Sequence, residues 1–154
     1  MRTVHRAFFS SFLAALLVAS LSPAFAQTAA HSHLAPADEY FGPLKMSVLG
    51  IRNTLRDESV RLASADRPEP AAAYAHANLV ERSLLDWQSK YPEDRWLPRM
   101  VFALQHLYAQ IPSETSRRHA SKVAAWLISR YPRSREASQM RRELAQAAPS
   151  SLER

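Results

Sequence analysis

Residues 89–95 read S-K-Y-P-E-D-R, and residues 129–135 repeat the pattern as S-R-Y-P-R-S-R. Tyr91-Pro92 and Tyr131-Pro132 stand 40 residues apart. A proline pushes the residue before it out of the α region, so each pair predicts a helix stop. Before each stop lies an apolar-striped run with a tryptophan, Trp87 or Trp126. After it comes a residue suited to capping, Asp94 or Ser134, and then another helical run. Self-similarity at this period points to a helical-repeat array. The units of such an array stack because none buries its apolar face alone.

The apolar spacing extends this reading in both directions. Ala73, Ala77, Val80, Leu84, Trp87 and Tyr91 step by 4, 3, 4, 3 and 4 and predict a helix over about 70–90. Leu97, Val101, Leu104 and Tyr108 predict one over about 95–110, with Asp94 as N-cap and Pro98 tolerated in its first turn. Ser113 and Glu114 open a fourth helix to about 130, striped by Ala120, Val123, Leu127 and Tyr131 and widened by Ala124 and Ile128. Ser134 opens a fifth, about 135–147, with Ala137, Met140, Leu144 and Ala147 inward. Upstream, Leu44, Val48, Ile51 and Leu55 predict a first helix over about 43–63, with Pro43 in its first turn. Gly50 within it suggests a close helix crossing. The expected organisation is one all-α domain over 43–148: an extra helix (43–63), one repeat (70–110) and a second (113–148). Residues 27–42 read as a flexible lead-in and 149–154 as a frayed end.

The first 26 residues follow the secretory pattern. Arg2 and Arg6 precede an uncharged stretch from Ala7 to Leu21, then Pro23 and the small-x-small site Ala24-Phe25-Ala26, which places cleavage between Ala26 and Gln27. The apolar run is shorter than the roughly 20 residues that span a bilayer, and the chain has no cysteine to lipidate. The expectation is a soluble periplasmic or secreted protein with no stable membrane anchor after cleavage.

Composition agrees with helix: 47% of residues are apolar and only 2 are glycine. Without the leader, 18 basic residues face 14 acidic ones. Residues 27–95 carry −2 and residues 96–154 carry +6. Nearly all the basic residues are arginines, suited to bidentate carboxylate contacts. An exported basic surface points to acidic proteins, anionic lipid headgroups or anionic envelope polymers rather than nucleic acid, and an acidic protein or peptide is the expected partner.

No catalytic constellation emerges from the chain, and no cofactor is expected. Cysteine chemistry is impossible, and two glycines leave no phosphate-cradling loop. His76, His106 and His119 fall on separate helices. The adjacent carboxylates Asp57-Glu58 and Glu93-Asp94 do not face one another on a helix. His31 and His33, with Asp38 and Glu39 nearby, support an alternative in which the N-terminal segment holds a metal or serves an enzyme. Exposed Trp96 or Trp126 supports another, a self-associating structural protein. The leading candidates for partner binding are Arg117, Arg118 and Lys122 on the fourth helix, with Arg133, Arg135, Arg141 and Arg142 around the fifth.

The order helix, Y-P-x-[SD]-x, helix, carried by Y-P-E-D-R-W and Y-P-R-S-R-E-A, resembles the degenerate tetratricopeptide repeats of envelope proteins. Examples are the outer-membrane assembly lipoprotein and the repeat domain of the Tol–Pal coordinator. The resemblance covers about residues 70–148. It departs from the family in lacking a lipidation cysteine, in having two repeats, and in Pro98 and Pro112. It implies a non-enzymatic scaffold or adaptor that binds proteins or peptides.

Overall fold

The structure, a computed structural model, describes residues 33–147. The expected leader and its expected cleavage site at Ala26–Gln27, residues 27–32 including His31, and residues 148–154 lie outside the described residues. Among those described there are five helices and no strand: α1 (Val48–Ala63), α2 (Pro70–Lys90), α3 (Leu97–Gln110), α4 (Glu114–Arg130) and α5 (Arg135–Ala147). No helix among them is long and apolar enough to cross a membrane.

The helices form two layers, α1, α3 and α5 in one and α2 and α4 in the other. The third helix is the hub and packs on all four others. Its buried face includes Leu97, Met100, Val101, Leu104, Leu107 and Tyr108. Opposite it lie the α2 stripe of Ala73, Ala77, Val80, Leu84 and Trp87 and the α4 stripe of Ala120, Val123, Ala124 and Leu127. Burying each large side chain contributes about 1.5–3 kcal/mol.

Positions 40 apart share environments. Val80 and Ala120, Leu84 and Ala124, Leu97 and Ala137, and Met100 and Met140 are all buried. The links match as well. Tyr91 (φ −132°, ψ 66°) and Tyr131 (φ −125°, ψ 52°) end their helices with nearly the same dihedrals. Each donates its N–H four residues back, to Trp87 and Leu127. The two tryptophans are not equivalent in this register. Trp87 aligns with Leu127 and is fully buried, whereas Trp126 is half-buried.

Several expectations need correction. The first helix begins at Val48, not 43, because residues 41–46 fold back on themselves. Phe41 and Met46 exchange both backbone hydrogen bonds (2.9 and 3.0 Å). Gly42 (φ 66°) and Lys45 (φ 48°) turn the chain between them. Pro43 therefore sits in that turn, Leu44 faces solvent, and Ser47 is the N-cap, its Oγ accepting from Gly50 N–H (3.1 Å). Gly50 marks no crossing: a Cβ there would meet only Ser47 Oγ and Met46 Cβ, at ordinary distances. The close approach is at Gly42, where a Cβ would stand 2.6 Å from Ser83 Cα of α2.

The described part of the lead-in is fastened rather than loose. Phe41 is buried and stacks on Trp87 (centroids 5.6 Å apart). Gly42 N–H reaches Asp86 (2.9 Å), and Lys90 Nζ binds Glu39 (3.0 Å). Lys90 also sits over the Phe41 ring, and the Glu39 hydrogen bond raises its pKa. At the other end, Leu144 and Ala147, expected to face inward, are exposed.

Candidate functional site

Asp94 is buried, and it is not the N-cap of α3 that its position suggests. Its Oδ2 accepts from Trp87 Nε1 (3.0 Å) and Ala35 N–H (2.8 Å), and its Oδ1 accepts from Trp96 N–H (2.9 Å). The third helix starts two residues later than predicted, at Leu97, with Trp96 as its N-cap residue. Asp94 thus fixes the link between α2 and α3 and ties the lead-in to it. Ser113 and Ser134 do serve as caps, accepting from Ser116 N–H (3.1 Å) and Ala137 N–H (3.0 Å).

The seam between α2 and α4 is closed by polar side chains. Glu81 Oε2 accepts from Tyr108 OH (2.7 Å) and lies 2.7 Å from His119 Nε2, while His119 Nδ1 lies 3.1 Å from Tyr74 OH. A neutral imidazole protonated at Nε2 satisfies every group, with Tyr74 donating to Nδ1. Burial and the neighbouring Glu81 carboxylate push the Tyr108 phenol far above its usual pKa. Further along, Gln88 Oε1 accepts from both Trp126 Nε1 (2.7 Å) and Tyr131 OH (2.9 Å). Burial raises Tyr131 to about 12. The sequence places His119 on a helix of its own and gives no sign of these partners, which lie 38 and 45 residues away.

The other described histidines also face glutamates on different elements. His76 lies 3.0 Å from Glu58, which is buried and also bonded to Arg61 (2.7 Å). His106 Nε2 lies 3.2 Å from Glu143 without hydrogen-bond alignment. His33 Nδ1 meets Glu93 at 2.8 Å. Among the described residues no group of three His, Asp or Glu side chains is arranged to hold a metal ion.

The arginines predicted as a binding patch are exposed but not gathered in one place. Arg117 and Arg118 near the start of α4 both engage Glu114, whose pKa the Arg117 hydrogen bond lowers. Arg133 and Arg135 lie past the far end of that helix, which is about 20 Å along its axis from Arg117. Arg141 turns back to Pro132 O (3.1 Å) and Ser138 Oγ (3.2 Å). Lys122, Arg133, Arg135 and Arg142 remain exposed to solvent. Trp126 is committed to the α2–α4 seam, whereas Trp96 is 38% exposed.

Where α1 packs on α3 the surface is grooved. A groove of about 380 Å³ runs beside Val48, Leu49, Arg52, Trp96 and Met100. A second, of about 500 Å³, continues beside Arg56, Ser59, Arg99, Phe102 and Ala103. No protein-family model, curated protein or solved structure matches this chain.

Proposed function

We propose that this chain is an exported, non-enzymatic scaffold. In this reading residues 1–26 are removed, and the remainder acts in the periplasm or outside the cell as a short tetratricopeptide-like stack. It binds an acidic protein or peptide segment. The observation that carries the reading is the shared register of the two links: the same dihedrals, the same backbone bonds and matched buried positions 40 residues on. Stacks of this kind present extended surfaces to protein segments. The arginine surplus supplies the charge that attracts a carboxylate-rich partner. Lys122, Arg133, Arg135 and Arg142 speed its approach by long-range attraction.

The test has two arms. Expression of the full chain with a C-terminal tag yields a processed species in the periplasmic or secreted fraction whose N-terminus is Gln27. That species binds acidic peptides, and binding weakens as salt rises from 50 to 500 mM. An unprocessed cytoplasmic chain, or binding indifferent to peptide charge, defeats the reading.

A further inference from the structure

The two seams of the stack differ in a way that bears on recognition. The Glu81 and Gln88 networks fill the α2–α4 seam. The α1–α3 seam holds two grooves, and Arg52 and Met100 border both, so they form one trough. It extends along α1 from Ser47 to Ser59, about 18 Å at the helical rise. A hydrogen bond from Gln110 to Ser59 (2.9 Å) joins the helices at its far end.

The trough combines an apolar floor with unanswered positive charge. Leu49 is 54% exposed at one end, Trp96 stands beside it, and Phe102 lines the other end. Arg52 and Arg99 have no carboxylate partner among the described residues, and Arg56 engages only its exposed neighbour Asp57. The one carboxylate bordering the trough, Asp94, already accepts three N–H groups. An incoming carboxylate therefore meets Arg52 and Arg99 without a competing anion, and at Arg56 it competes with the exposed Asp57.

We propose that the α1–α3 trough docks an acidic, amphipathic segment of a partner protein. This rests on the scaffold reading above and gives it a site. Apolar side chains of the segment seat against Trp96, Met100 and Phe102. Its carboxylates take the guanidinium groups of Arg52, Arg56 and Arg99, where paired N–H donors favour bidentate contacts. Arg52 and Arg56 are one helical turn apart, about 6 Å. That spacing suits carboxylates on successive turns of a helix or on alternate residues of a strand. The trough accommodates about twelve helical residues, or five to six extended ones. A tryptophan flanked by arginines is also the composition enriched among residues that dominate binding energy.

The experiment is an immobilised set of peptides of about twelve residues on one leucine-containing background, with Glu, Gln or Lys at three positions. The probes are the processed chain, R52E/R99E and R133Q/R135Q/R142Q, each first shown by circular dichroism to keep its helicity. Wild type binds the Glu peptides. R52E/R99E loses them by about tenfold, the scale of two exposed ion pairs, and gains the Lys peptides. R133Q/R135Q/R142Q keeps the Glu preference but associates more slowly. An unchanged Glu preference in R52E/R99E overturns the trough while leaving the acidic-partner reading standing. If wild type binds none of the peptides, both fall. Capture by phosphatidylglycerol vesicles without peptide binding overturns the trough as well.

Discussion

At the scale of single residues, Asp94 shows where sequence reasoning stops. Its position after Tyr91-Pro92 suggests a capping residue. Nothing local shows that Trp87, seven residues earlier, points its indole N–H at the same carboxylate, or that Ala35 arrives from 59 residues away. Glu81 and His119 are hidden for the same reason, since their meeting depends on how α2 and α4 stack. Removing the Asp94 acceptors strands a buried indole N–H and two backbone N–H groups. Asp94→Ala should therefore lower unfolding free energy by about 2–4 kcal/mol. Asp94→Asn, which keeps one carbonyl acceptor, should lose less. Urea titration followed by tryptophan emission reads both, and equal stability of D94A and wild type would refute the role assigned to this carboxylate.

At the scale of elements, helices flanked by proline and serine were the most legible. The second, fourth and fifth helices lie where spacing and breakers put them, because Pro70, Pro92, Ser113, Pro132 and Ser134 act locally. The first helix was less legible. The Phe41–Met46 turn has no periodic signature, and Leu44 happens to fall in phase with Val48 and Ile51. The two glycines give opposite predictions here. Gly42→Ala places a Cβ against Ser83 in a left-handed conformation and should destabilise by about 2–3 kcal/mol. Gly50→Ala, inside α1 with room for a methyl group, should stabilise by about 0.5–1 kcal/mol. Thermal melts of the two variants decide the point, and shifts of the same sign would contradict the structure.

At the scale of the whole molecule, the all-α class was evident from composition and stripe, whereas the trough between α1 and α3 was not. It arises from which helices become neighbours, and its arginines are scattered among ordinary exposed positions in the sequence. Global stability should also carry a signature at high pH. Tyr108 joins α3 to α2, and Tyr131 joins the α4 end to α2; both phenols titrate above their usual range in the folded chain. The unfolded chain loses these protons first, near pH 10. The stability they contribute is therefore intact below about pH 10 and falls as pH rises toward 12. Lys90, held protonated by Glu39, adds to the same slope. Melting temperatures between pH 8 and pH 11.5 should drop steeply above 10 and less so in Tyr131→Phe. A flat profile would show that these phenols do not hold the layers together.

The matched links have one more consequence. The backbone leaves α2 and α4 by nearly the same dihedral path, at Tyr91 and Tyr131. A block cut at one Tyr-Pro and spliced in at the other would re-enter the stack heading the same way. The architecture is therefore extensible by duplication, with no new corner to invent, and each added block, one α3 and one α4, would lengthen both layers.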